Sequence, residues 1–274
     1  MTLTPEIIAI PFLIHGTLQP LPQKYYPSRL GLFFFLIKIF ASKIKKKAPN
    51  ASFITERLAD LGLINFIFIS LGRFFPQIVH FPGGLLGKQP NGKISFLSKI
   101  FWAPYLILEK WNLNRVAQNI IQSSKKILDP YNLVYSSEND GEAIYLGMHP
   151  YFFKNNFPPN IEVIFDLSNE FEEDNIALKN RKYINVPVWD QALPLDKERF
   201  VDAVDEVSHT SGNLYVHCAF GLGRSSLAVA AILLKRNIVK TVQEAYDLIR
   251  KARPMTRWKD EQFEFMSEIL HRLT

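Results

Sequence analysis

His217-Cys218-Ala219-Phe220-Gly221-Leu222-Gly223-Arg224-Ser225-Ser226 contains the only cysteine among the 274 residues. The apolar run Leu214-Tyr215-Val216 precedes it, and an apolar helical pattern, Leu227 to Leu234, follows. This succession reads as strand, tight loop and helix, with the thiol at the turn. Gly221 and Gly223 permit backbone angles that other residues avoid. The N–H groups of Ala219, Phe220, Gly221, Leu222, Gly223 and Arg224 can then converge into an anion-binding nest, and the helix starting near Arg224 adds its positive end. Arg224 contributes a planar fork that matches phosphate oxygens. The same field favours a Cys218 thiolate and lowers its pKa from the usual value of about 8.5. Ser225 is placed to donate to the sulfur. His217 is expected to support the loop by bonding its backbone rather than to act as a base. A lone cysteine after a buried strand is commonly an inert small hydrophobe. Here two glycines, an arginine and a serine coincide with it, which points to a nucleophile set under a bound phosphate.

The residues around the loop form an α/β pattern. Asn132 to Tyr135, Ala143 to Leu146, Ile161 to Leu167, Tyr183 to Val186 and Leu214 to His217 read as strands, the last apolar on both faces. Leu195 to His209 places Phe200, Val204 and Val207 at helical spacing. Thr241 and Glu244 form a capping box at the head of another helix, and Asp260 to Leu273 is amphipathic. Attack on a phosphate ester also needs a general acid, because an alkoxide or phenoxide leaves poorly. Asp190 follows the strand Tyr183–Val186 through Pro187-Val188-Trp189 and is assigned that role. Asp196 competes for it, but its place before Lys197-Glu198 is that of a helix N-cap. Asp166, at the end of an earlier strand, reads as structural.

The N-terminal half has a different composition. Residues 1–130 hold sixteen Lys/Arg against five Asp/Glu and 13 of the 22 phenylalanines, whereas residues 131–274 hold sixteen against twenty-one. The split suggests a boundary near Asp129-Pro130, giving a hydrophobic, basic, helical region over 1–130 and a catalytic domain over 131–274. Three apolar runs, Leu30 to Ala41, Leu61 to Leu71 and Ile94 to Leu108, fall short of the ~18–20 uninterrupted residues of a transmembrane helix. The basic cluster Lys43, Lys45, Lys46 and Lys47 follows the first run, a combination suited to lying on an anionic membrane surface. Packing of buried helices is the alternative. Gly83-Gly84, Gly87 and Pro90-Asn91-Gly92 mark a turn region. The basic residues are interleaved with apolar runs rather than grouped on a reading module, so no nucleic-acid partner is expected. A single cysteine excludes an internal disulfide framework, and Met1 to Pro5 lacks the basic start of a secretory signal. The expected location is the cytoplasm or the cytoplasmic face of a membrane.

The loop resembles the Cys-x5-Arg signature of the protein tyrosine phosphatase superfamily, specifically its dual-specificity branch. The resemblance is carried by His217-Cys218, Gly221 and Gly223-Arg224-Ser225. Tyr145-Leu146-Gly147 resembles an early element of that family, Val188-Trp189-Asp190 its acid loop, and Arg253-Pro254 the pair after its penultimate helix. Gln262 falls near a polar position of the last helix, while Lys259 stands where the family usually has Asn. The resemblance covers about residues 131–274 and leaves the N-terminal half unmatched. It implies a central, mostly parallel sheet flanked by helices, and a reaction through cysteinyl phosphate without metal or other cofactor.

Ala219, Phe220 and Leu222, the variable positions of the loop, include no lysine. That argues against a highly anionic inositol headgroup. A phosphorylated protein is therefore the first-ranked substrate and a membrane phospholipid the second. A non-catalytic phosphoprotein-binding module comes third, since binding alone would not need Cys218, Arg224 and Asp190 together.

Overall fold

The computed structural model describes residues 35–39, 49–74, 86–122, 128–138, 141–154, 156–190 and 192–273. The Lys43–Lys47 cluster and Gly83-Gly84 lie outside them. The chain divides into two compact units, residues 1–81 with 96–108, and residues 82–95 with 109–274.

In the first unit the second apolar run lies within helix α1, Pro49–Phe74. Most of the third run forms α2, Phe96–Phe101, and the start of α3, Ala103–Gln122. The two helices part at Trp102, just ahead of Pro104. Pro104 sits in the first turn of α3, where the missing N–H is not needed. Asn65 Nδ2 donates to the Phe101 carbonyl at 3.0 Å, and Lys38 pairs with Asp60 at 2.5 Å. Among the described residues no helix is long and apolar enough to cross a membrane.

The second unit holds a five-stranded sheet. Its strands are β1 (Tyr131–Ser136), β2 (Ala143–Gly147), β3 (Ile161–Ser168), β4 (Lys182–Val188) and β5 (Asn213–His217), in the order β1-β2-β5-β3-β4. Only β1 runs antiparallel to its neighbour. The central strand β5 is buried from Leu214 to His217, as its unbroken apolar sequence requires. Five helices accompany the sheet: α4 (Asn175–Leu178), α5 (Lys197–Ser208), α6 (Arg224–Lys235), α7 (Val242–Ala252) and α8 (Asp260–Leu273). Asp196 caps α5 by accepting from the Arg199 amide at 2.9 Å, and Thr241 caps α7 by accepting from Glu244 at 3.1 Å. The return arm of that capping box reaches the Lys240 amide. Helix α6 is buried from Arg224 to Leu234, and its apolar side chains join those of β2, β3, β5 and α5 in the main core.

The boundary expected near Asp129-Pro130 does not separate the packed units. Residues 86–95 form a turn closed by a bridge between Lys88 and Ile94 and belong with the sheet. Further along α3, Leu113 packs with Phe171 and Ala219, and Ala117 with Leu128 and Met148. Local charge composition follows the chain, whereas these contacts form between segments distant in sequence.

Register sets the functional end of the sheet. Gly147 pairs with His217, His217 with Asp166, and Asp166 with Asn185. The carboxyl ends of four parallel strands therefore finish level, and the segments leaving them share one side of the sheet. Gly147 is the tightest point in this row. A Cβ there would lie 2.2 Å from the Tyr215 hydroxyl and 2.8 Å from the Pro130 carbonyl. Tyr215 cannot readily retreat, because its hydroxyl donates to the Met148 carbonyl at 2.5 Å. Gly147→Ala is expected to cost roughly 1–3 kcal/mol of unfolding free energy. Urea denaturation measures it, and an unchanged midpoint would show that the row is more compliant than its packing implies.

Candidate active site

Residues 217–224 connect β5 to α6, and Cys218 is buried at the bend. Gly221 has φ +69°, and a Cβ on it would approach the Gly147 carbonyl to 2.4 Å. Glycine is thus required both by its backbone angle and by its contact with the end of β2. Helix α6 starts at Gly223 without a side-chain cap, unlike α5 and α7. Its first amides are left for an anion. The loop is held from outside by the His149 amide, which donates to Ala219 O at 3.0 Å, and by Arg253 Nη2, which donates to Phe220 O at 2.8 Å. Arg253 also bonds Asn132 and the Asp129 carbonyl. Burial lowers its pKa to about 10, and it remains a cation at neutral pH.

Ser225 Oγ lies 3.2 Å from Cys218 Sγ and donates to it. Burial opposes ionisation of the thiol. The Arg224 charge, the Ser225 hydroxyl and the amides of Ser225 and Gly221 outweigh it, so the pKa falls below the ordinary value.

Glu170 fixes the position of Arg224. Its Oε2 accepts from Nη1 at 2.8 Å and its Oε1 from Nη2 at 2.7 Å. The Val188 carbonyl accepts from Nη1 at 2.8 Å, and Asp190 Oδ1 accepts from Nη2 at 3.0 Å. Arg224 and Glu170 are both buried. Burial raises the Glu170 pKa, but the adjacent guanidinium more than offsets this and keeps the carboxylate ionised. Asp190 is thus joined to the loop, whereas Asp196 is occupied as the cap of α5.

His217 does not bond the loop backbone as expected. Its Nε2 lies 2.9 Å from Glu173 Oε1 and its Nδ1 lies 3.7 Å from Asp166 Oδ1. Burial lowers its pKa, but the two carboxylates win and the net shift is upward. His149 Nε2 approaches the same Glu173 oxygen at 3.1 Å. Among the described residues, His149, Glu173 and His217 are the group whose spacing could suit a metal ion. The donor set argues otherwise. The Tyr151 amide donates to His149 Nδ1 at 3.2 Å, so the neutral ring carries its proton on Nε2, towards Glu173, with no lone pair there for a metal. Asp166 is buried and structural, paired with Lys88 and accepting from Ser168 and from the Tyr183 hydroxyl.

Glu170, Glu173, His149 and Lys88 were not singled out from the sequence. Only the acidic stretch Glu170-Phe171-Glu172-Glu173 directly after a strand could have drawn attention to part of the group. Gln262 caps its own helix by accepting from the Lys259 amide at 2.8 Å.

Residues 144–271, just under half of the chain, match the family described as "Dual specificity phosphatase, catalytic domain". Dual specificity protein phosphatase 1-A of Xenopus laevis is 31% identical over 92 residues, covering 32% of this chain and 24% of the relative. Human dual specificity protein phosphatase 1 is 30% identical over the same length and coverage. The chain thus spans about a quarter of the length of these curated relatives. Among solved structures, human DUSP28 aligns with a TM-score of 0.42 and 18% identity, over 53% of this chain and 95% of that one.

Cys218 is expected to react with iodoacetamide with a pH midpoint below the free-thiol value of about 8.5. Arg224→Met removes the main stabilising charge and is expected to move that midpoint upward. Rates of alkylation measured from pH 5 to 9 test both, and coincident midpoints would show that Arg224 does not govern the thiol.

Proposed function

We propose that this chain is a phosphomonoester hydrolase that works through a cysteinyl-phosphate intermediate without metal, with phosphorylated proteins as its first-ranked substrates. The observation that supports this most directly is the convergence of Cys218, the uncapped start of α6 and the Glu170-anchored Arg224 on one bend. A phosphate dianion takes the loop amides and the side-on edge of Arg224, formed by Nε–H and the Nη2–H that Asp190 otherwise holds. Cys218 Sγ attacks phosphorus as the ester P–O bond breaks, and the leaving oxygen takes a proton from Asp190. Water then attacks the phosphoenzyme, Asp190 accepts its proton, and the S–P bond breaks with Ser225 donating to the departing thiolate. Tyr151 and Phe152 follow His149 in a short 3-10 turn, and Phe152 stacks on Phe220 of the loop at 5.7 Å. This aromatic flank suits a phosphorylated side chain better than a multiply charged headgroup.

A phospholipid ester is the second reading, favoured by a separate observation. The first unit carries ten Lys/Arg against three Asp/Glu. It also exposes Phe53, Ile54, Phe96 and Leu97, each more than half accessible. Such a unit would suit an anionic membrane surface and would bring the site to lipid esters.

Phosphate release from an aryl phosphate in the presence of a chelator tests the reaction. Wild type is expected to turn over, Cys218→Ser to be inactive, and Asp190→Ala to lose roughly 10²–10³ in kcat. A phosphotyrosine peptide and vesicles containing anionic phospholipid, run alongside, decide between the substrates. Folded wild type that releases phosphate from none of them would remove the hydrolase reading and leave a phosphate-binding module.

A further inference from the structure

Lys88 lies well before residue 144, yet it ends in the interior behind the catalytic loop. Neither it nor Asp166 has measurable exposure. Its ammonium has three hydrogens, and all are spent: on Asp166 Oδ2, on Ser168 O at 2.9 Å and on Ser168 Oγ at 3.2 Å. The turn that carries it is stitched to the segment following β3. Glu173 N donates to Gly92 O at 3.1 Å, Ile94 N to Glu172 Oε1 at 2.8 Å, and Lys93 Nζ to Glu173 O at 2.5 Å. Asn185 Nδ2 adds a bond to Gln89 O at 2.8 Å. The segment so gripped, Ser168 to Glu173, carries both Glu170, which holds Arg224, and Glu173, which holds His149 and His217. A buried lysine is costly to desolvate, and the chemistry of phosphate transfer makes no direct use of this one.

We propose that Lys88 is a positioning residue of the catalytic loop, anchoring Asp166 and the Ser168–Glu173 segment so that Glu170 presents Arg224 and His217 stands fixed before Cys218. Asp166 faces Lys88, Ser168, Tyr183 and His217, with Glu173 and His149 just beyond. Lys88 is its only fixed cation among these. Without it the carboxylate is left against Glu173, and either takes up a proton or draws on His217. Both outcomes disturb the residue next to the thiol. The proposal rests on the thiol chemistry assigned above.

The test uses the full chain as Lys88→Met and as Lys88→Met/Asp166→Asn, assayed below the melting temperature of each. For Lys88→Met, kcat/KM on an aryl phosphate is expected to fall roughly 10- to 100-fold, and the pH midpoint for Cys218 alkylation to move upward. In the double variant both charges are gone, so the midpoint returns towards wild type. The bonds to Ser168 are still missing, so kcat/KM remains reduced. If Lys88→Met does not fold, the charge-neutral double variant carries the test. Either variant, folded and with wild-type kcat/KM, would overturn the proposal and leave Lys88 as a stabiliser of the fold. Alkylation needs no turnover, so an unmoved midpoint in folded Lys88→Met counts against it even if wild type proves inactive on aryl phosphate. The activity of wild type against Cys218→Ser judges the hydrolase reading separately.

Discussion

Burying three carboxylates behind one thiol is tolerable only if each has a positive partner, and the rest of the site is built around that condition. Asp166, Glu170 and Glu173 are all buried. Lys88 answers the first, Arg224 the second, and the imidazoles of His149 and His217 the third. Breaking one buried pair leaves an uncompensated charge worth several kcal/mol, so these partners are not independent ornaments. Burial pushes Glu173 towards its neutral form, but the two imidazoles hold it well below the ordinary range. His149 moves the other way, its pKa lowered chiefly by burial. Of the two rings, the one next to Cys218 therefore carries the charge more readily.

The sheet makes this economy possible. Parallel pairing levels the ends of β2, β5, β3 and β4, so the segments after them emerge together: His149 from β2, Cys218 from β5, Glu170 and Glu173 from β3, and Asp190 from β4. Contacts of glycine backbone then bring the pieces to bonding distance. Gly221 lies against Gly147, and Gly147 lies against Tyr215, whose hydroxyl is tied to Met148. Any of these positions given a side chain would separate the loop from its support.

Features that depend on neighbours in sequence were legible in it. The strand–loop–helix of residues 214–234, the capping roles of Asp196 and Thr241, and the bounds of α8 are written in contiguous residues. The candidate loop could be picked out for the same reason, since its amides, thiol and arginine lie within eight positions. What holds the loop was not. Glu170 meets Arg224 across 54 residues and Lys88 meets Asp166 across 78. A lysine beside a Pro-Asn-Gly turn carries no local mark of burial. The compact units differ from a division at Asp129-Pro130 on the same ground, because charge composition cannot register a turn that folds back onto the sheet. His217 shows the converse. Its place before the cysteine was legible, but its partners lie on β3 and just beyond it.

The arrangement around Arg224 also bears on how a phosphate would enter. Glu170 takes one hydrogen from each terminal nitrogen, Val188 the second on Nη1, and Asp190 the second on Nη2. Glu170 and the Val188 carbonyl hold the guanidinium from its far end and are buried with it. The Asp190 carboxylate is about one-third exposed and accepts from Nη2 at 3.0 Å. An arriving dianion would compete for that hydrogen with twice the charge. Asp190 is therefore the partner that gives way. In the proposed reaction its displacement from Arg224 frees it to take a proton from solvent and pass it to the leaving oxygen, coupling occupation of the loop to release of the proposed acid. An arginine held by Glu170 alone would meet no competitor for that hydrogen but would leave that coupling out.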